Sequence, residues 1–257
     1  MASADHDELA ARLRNDPSRA GVFCDFDGTL ADIVERPEDA RPVEGAVDAL
    51  AALVEPYARV AVISGRPARF LLSHLGGRGL HLAGLYGLEV VRDGEVQVVE
   101  DAKGWEPTVE EVVARLQEQA PEGLGIEAKG LSVTLHFRTA PELAETTRSL
   151  AEEAGEWSGL VVGEGRQSYE LRPPVSTSKG TVLAEAAADL DAACFLGDDH
   201  GDLTAFDALD DLEARGAEVV RVAVRSGESP EELVRRADAV LDGPAEVIAF
   251  LHRLQPQ

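Results

Sequence analysis

Two carboxylates one residue apart, Asp25 and Asp27 in GVFCDFDGTL (21–30), close an apolar run and are followed at once by Gly28 and Thr29. Acids this close repel each other, and both stay charged only beside a compensating cation. Oxygen ligands of this kind suit Mg²⁺, which takes one or two carboxylates together with phosphate oxygens and waters. Beside such a cation the pair can divide its work, Asp25 as a nucleophile and Asp27 as a proton donor. The alternatives are an Asp-Gly turn that only ends a strand, or an EF-hand, whose third acid and closing Glu are missing here.

Three further groups could serve the same chemistry. GDDHGDLTAF (197–206) brings Asp198, Asp199 and Asp202 within one turn after the apolar run ACFL, and could complete a single metal site. Taken alone, it reads as a solvated loop before a helix capped by Asp202 or Thr204, and it is the second acid cluster at a strand end that points to a shared site. In ISGRP (63–67), Ser64 and Gly65 at a strand end can offer a hydroxyl and backbone N–H groups to an anion. Lys179, in RPPVSTSKGTV (172–182), can both bind phosphate and quiet the charge of Asp25.

These residues need a scaffold that gathers strand ends. VFCDF (22–26), RVAVISG (59–65) and HLAGLYG (81–87) read as strands, with helices over 43–55 and from Pro67 between them. Strand and helix alternating through short loops predict a parallel sheet with crossover helices, whose ligands bind at the carboxyl ends of the strands. The rhythm then changes. EVVRDGEVQVV (89–99) reads as a hairpin through its Asp-Gly, followed by helices over 108–119 and 141–155 and strands at 131–138, 160–165 and 167–173. From Lys179 the first pattern resumes, with a helix over 179–190, strands at 193–199 and 219–224, and a last helix near 244–254. The expected organisation is a core split into 1–103 and 171–257 around an α+β insertion at 104–170.

The formal net charge is −24, from 24 Lys and Arg against 48 Asp and Glu. Such a field argues against nucleic acid or anionic membrane as a partner, and makes a phosphorylated ligand depend on local cations. Cys24 and Cys194 lie in apolar runs and read as buried thiols. The polar, helical N-terminal pattern lacks a signal-peptide core, and no apolar run approaches the ~20 residues of a membrane span. A cytoplasmic monomer is expected.

The motifs DFDGTLADIV, SGRP, EAKGLSVTLHFR (127–138), SYELRPPVSTSKG (168–180) and LGDD, in this order, resemble the trehalose-6-phosphate phosphatases of the haloacid dehalogenase superfamily. The resemblance runs from about Gly21 to the C-terminal helix. It implies an α/β fold, a haloacid dehalogenase-like Rossmannoid core with a parallel sheet plus an inserted α+β cap domain of type C2. It also implies Mg²⁺-dependent hydrolysis of trehalose 6-phosphate through an aspartyl phosphate. Asp25 would be the nucleophile and Asp27 the acid and base. Mg²⁺ would be held by the Asp25 carboxylate, the Asp27 carbonyl and Asp198, with Asp199 and Asp202 outside them. Ser64, Gly65 and Lys179 would bind phosphate, Arg66 would assist at the substrate entrance, and Glu127, Lys129 and Glu170 would hold the sugar. Another sugar phosphate, such as sucrose 6-phosphate or glucosyl-3-phosphoglycerate, is the alternative substrate. The family pattern is altered at Tyr86, where histidine is common, and at Gly201 and Leu203.

Overall fold

The computed structural model describes residues 6–77, 79–165, 167–226 and 229–256; the first five residues of the helical N-terminal segment lie outside these. In chain order come α1 (His6–Arg14), β1 (Ala20–Cys24), α2 (Ala46–Val54), β2 (Arg59–Ile63), α3 (Ala68–Leu75) and β3 (His81–Gly84). The hairpin strands β4 (Glu89–Arg92) and β5 (Glu95–Val98) follow. Next are α4 (Glu106–Gln119), β6 (Gly125–Ala128), β7 (Val133–His136), α5 (Ala144–Ser158), β8 (Val161–Gly165) and β9 (Ser168–Arg172). The chain ends with α6 (Lys179–Ala186), β10 (Ala192–Gly197), α7 (Leu203–Ala214), β11 (Glu218–Val224), α8 (Glu231–Arg236), β12 (Ala239–Leu241) and α9 (Pro244–Arg253).

The chain divides into two compact units, one made of the segments up to Gln97 and from Thr177 onwards, the other of Val98–Ser176. The first holds an eight-stranded sheet in the order β12-β11-β10-β1-β2-β3-β4-β5. From β12 to β3 every pairing is parallel, and β4 joins β3 antiparallel. All five residues of β1 are buried, as a strand covered on both faces requires. Period-two alternation sorts its neighbours into two layers. Val22, Cys24, Val60, Val62 and Val220 pack against Leu9 and Leu13 of α1, Leu50 and Leu53 of α2, and Phe250 of α9. Phe23, Ala61, Ile63 and Phe195 face Leu183 of α6 and Phe206, Leu209 and Leu212 of α7.

This order brings the ends of β1, β2 and β10 side by side, with Val22 in register with both Cys194 and Val60. Beyond β1 the ladder extends one more bond, from Asp25 N–H to Leu196 O at 2.9 Å, before the chain turns. β3 stops at Gly84, three residues short of the expected 87. Gly84 lies so close to the start of α3 that a Cβ there would sit 2.1 Å from Ala68 N, and Leu85–Gly87 forms a 3₁₀ turn instead.

The second unit is a four-stranded antiparallel sheet, β6-β7-β9-β8, with α4 and α5 on one face. Val133, Leu135 and Leu171 meet Val109, Val112 and Leu116 of α4 and Ala151 and Ala154 of α5. The intervening residues point the other way, so Glu127, Thr134 and Glu170 align across three strands. The expected insertion 104–170 falls inside this unit, and its EAKG segment is edge strand β6 plus a turn.

Phe195 is fully buried and meets Phe206 edge-to-face at 6.5 Å. Phe195→Ala is expected to cost the first unit about 3–5 kcal/mol in chemical denaturation. A loss below about 1 kcal/mol would contradict this packing.

Candidate active site

Lys179 is the first residue of α6, and its helix start is fixed by reciprocal hydrogen bonds between Ser178 and Thr181. The side chain is buried, with Nζ 2.6 Å from Asp202 Oδ1, 2.9 Å from Asp25 Oδ1 and 3.5 Å from Asp199 Oδ1. Burial alone would lower its pKa, but Asp199, Asp202 and Asp25 outweigh that and hold it well above the ordinary lysine value. Tyr86 also lies close enough to act on it electrostatically.

Asp202 ties the loop after β10 together. Its Oδ2 accepts from the N–H groups of Asp198 and Asp199 at 2.8 and 2.9 Å, while Asp199 Oδ1 accepts from Asp202 N–H at 3.1 Å. Asp198 is thereby turned toward β1. Its carboxylate rests on Gly28, where a Cβ would come within 2.2 Å of Oδ2, and Gly28 also holds φ +76°. Both facts demand glycine at that position. Ser226, in the loop after β11, donates to Asp198 Oδ2 at 2.9 Å.

Carboxylate oxygens of Asp25, Asp198 and Asp202 all lie within 4.8 Å of one another, and all three residues are buried. Burial pushes Asp25 up to about 8, with Asp199, Asp198 and Asp27 adding to it and Lys179 opposing. Asp198 is also pushed up to about 8, by burial and then by Asp199 and Asp202. One ammonium does not balance these acids, and the donor set is oxygen only. The cluster therefore fits a hard divalent cation. Both oxygens of Asp202 are already taken by Lys179 and by two N–H groups, which leaves oxygens of Asp25 and Asp198 in the cluster for such an ion.

The other expected residues of this unit are close at hand. Ser64 is buried just beyond β2, and its Oγ accepts from Arg66 N–H at 3.1 Å. Arg66 grips Asp27 with two hydrogen bonds, Nε to Oδ2 at 2.8 Å and Nη2 to Oδ1 at 2.7 Å. A third goes to Pro37 O at 2.6 Å, and the guanidinium lies over the Phe70 ring at 4.8 Å. The Asp27 side chain is 36% exposed, in contrast to Asp25.

In the second unit, Lys129 Nζ lies 3.3 Å from Glu170 and 3.7 Å from Glu127. Ser132 and Thr134 donate to Glu170 at 2.9 and 3.4 Å, and His136 Nε2 meets Glu127 at 2.9 Å. Sequence reasoning missed these three residues, although alternation along SVTLH places Ser132, Thr134 and His136 on one face. Ser226 was also missed. It lies 28 residues beyond Asp198, and no local signal marks it.

A trehalose-phosphatase family model matches residues 23–239 of the chain. The trehalose-phosphate phosphatase of Mycobacterium marinum is 35% identical over 255 residues, covering 93% of this chain and 62% of that one. The chain belongs to the trehalose-phosphatase family. The C-terminal domain of a C. albicans trehalose-6-phosphate phosphatase superposes with a TM-score of 0.78 over 98% of this chain and 97% of that one, at 24% identity. A haloacid dehalogenase-like hydrolase from Bacteroides thetaiotaomicron shares the fold, with a TM-score of 0.63 over 91% and 99% at 15% identity. This trehalose-phosphatase family member thus has a haloacid dehalogenase-like α/β core with a separate antiparallel-sheet unit. It spans about three fifths of the length of the curated relatives it matches first. Among its described residues no helix is long and apolar enough to cross a membrane.

The buried acids link cation binding to pH. Unfolded carboxylates titrate near ~4, whereas Asp25 and Asp198 without a cation titrate near 8. The folded state therefore keeps protons that the unfolded chain has lost, and stability falls as pH rises through this window. A cation must displace those protons, so its stabilisation grows over the same range. Mg²⁺ is expected to raise the melting temperature more at pH 8 than at pH 6, and not at all in Asp198→Asn. Equal shifts at both pH values, or a shift retained in the variant, would count against this site.

Proposed function

We propose that the chain is a Mg²⁺-dependent phosphatase that hydrolyses trehalose 6-phosphate to trehalose and phosphate through an aspartyl phosphate on Asp25. The observation that carries this reading is the buried Asp25 carboxylate held 2.9 Å from Lys179 at the end of β1. A carboxylate fixed in this way is available to a phosphorus atom, while the adjacent ammonium and the Ser64 hydroxyl can take the charge of the transferring oxygens.

In the first half-reaction an Asp25 oxygen bonds to phosphorus as the bond to the sugar O6 breaks, and Asp27 gives the departing oxygen a proton. In the second, Asp27 takes a proton from water, the water oxygen bonds to phosphorus, and phosphate leaves with Asp25 restored. Both Asp27 oxygens accept from Arg66, so the guanidinium orients the carboxyl group that exchanges the proton. Arg66 thereby acts on the acid and base itself, besides any contact it makes with substrate. Mg²⁺ bound by Asp25 and Asp198, with the Asp27 carbonyl, would supply charge compensation for the nucleophile and the phosphoryl group. Asp199 and Asp202 support those ligands from outside, and Ser64, Gly65 and Lys179 bind the phosphate oxygens.

Glu127, Lys129 and Glu170 of the inserted unit, 104–170, are proposed to hold the sugar. Acceptors and a donor arranged in turn suit hydroxyl groups, which an apolar surface could not tell apart. The mycobacterial relatives named for trehalose phosphate support the choice of sugar. A cytoplasmic monomer acting on this small-molecule substrate, without nucleic acid or membrane, completes the reading.

Phosphate release over a panel of sugar phosphates tests the substrate. With Mg²⁺, trehalose 6-phosphate is expected to turn over far faster than glucose 6-phosphate or sucrose 6-phosphate, and equal rates would defeat the assignment. The chemistry is tested separately. Asp25→Asn should abolish turnover, and Asp27→Asn should lower kcat by about 10²–10⁴-fold. Retained activity in the first variant would remove Asp25 from its role.

A further inference from the structure

The turn Leu85–Gly87 departs sharply from the backbone its residue types favour. Leu85 and Tyr86 hold φ of +49° and +58°, a costly region for side chains of their size. Two main-chain hydrogen bonds fasten the turn to the loop after β2. Leu85 N–H donates to Arg66 O at 2.9 Å and Tyr86 N–H to Ser64 O at 3.0 Å. On its other side the turn meets α6, since a Cβ on Gly87 would lie 2.5 Å from Val182 Cγ2. It is therefore wedged between the two elements that carry Ser64–Gly65 and Lys179.

The Tyr86 side chain is half-buried and lies across Gly65. A Cβ built at Gly65 would meet the phenol oxygen at 2.6 Å and Cζ at 2.8 Å, so glycine there leaves room for the hydroxyl. Strain at two successive residues persists where the surroundings over-determine it, commonly to aim a functional side chain. Here what holds the strain is the anion-binding loop itself. We propose that the Tyr86 hydroxyl is a further phosphate-contacting group, donating a hydrogen bond to an oxygen of the phosphoryl group bound by Ser64, Gly65 and Lys179. The identity of that ligand rests on the phosphatase reading, whereas the wedge between Gly65 and α6 does not. A phenol adds a directional donor without adding charge beside Lys179.

Binding of inorganic phosphate, followed by calorimetry with Mg²⁺ present, tests this without requiring turnover. Tyr86→Phe keeps the ring on Gly65 and removes only the donor. Its phosphate Kd is expected to weaken about ten-fold, as loss of a hydrogen bond to a charged group would cause, with Mg²⁺ affinity unchanged. An unchanged phosphate Kd overturns the proposal, and so does a parallel loss of Mg²⁺ affinity, which would mark a purely structural role. If Tyr86→Phe does not fold, Tyr86→His, with a ring N–H, enters the same comparison and should retain more phosphate affinity than Tyr86→Ala. A wild-type protein that binds no phosphate also overturns it. One that binds phosphate but hydrolyses no phosphate ester overturns the phosphatase reading instead.

Discussion

The whole first unit is arranged around one buried cation. Lys179 Nζ is out of water and touches two buried carboxylates, Asp25 and Asp202. Burying such charges costs on the order of several kcal/mol per ion unless geometry and further hydrogen bonds compensate. The compensation comes from three separate stretches of chain, the end of β1, the loop after β10 and the first turn of α6. α6 reaches the acids because it packs tightly on α7: a Cβ at Gly180 would lie 2.1 Å from Thr204 O, and Gly180 N–H donates to Thr204 Oγ1 at 3.1 Å. Shifting any one of these elements strands a charge on the others.

Arg221 shows why this cluster, and not every cluster, asks for a metal. It is also nearly buried, and it bonds to Asp210, Glu213 and Asp238. Those acids keep 31–59% of their side chains in solvent, so water shares their charge. Around Lys179, only Asp199 reaches solvent; Asp25, Asp198 and Asp202 are inside the protein, where water cannot share their charge and a divalent cation could. The same contrast bears on substrate capture. A net charge of −24 repels an anion at long range, but exposed charges are screened over ~8 Å at physiological salt. On the proposed function, attraction for a phosphate would be local, from Lys179, Arg66, donors at the end of β2 and a cation held by Asp25 and Asp198.

The core layout was legible because parallel strands covered on both faces must be continuous apolar runs, and VFC, RVAVI and ACFL are such runs. Asp25, Ser64 and Asp198 were legible because their types stand out where those runs stop. Positions set by tertiary packing were not. The apolar character of HLAGLYG carries no sign that Gly84 would jam against α3 and force Leu85 and Tyr86 into left-handed conformations. Ser226 reaches Asp198 only because β11 pairs with β10. Asp202 reads from sequence as a helix cap or as an outer support of a metal site, and its bond to Lys179 comes from the contact of α6 with α7.

The polar face of the second unit carries a different logic from the buried acids of the first. Glu127, Lys129, Glu170, Ser132, Thr134 and His136 already satisfy one another across β6, β7 and β9. A ligand with many hydroxyl groups would exchange these bonds for its own at small net free energy, since hydrogen bonding is nearly conserved in such an exchange. A ligand lacking a hydroxyl at one position would leave a carboxylate or ammonium desolvated and unpaired, which costs far more than the matching bond contributes. Discrimination on this face therefore comes chiefly from penalising wrong partners.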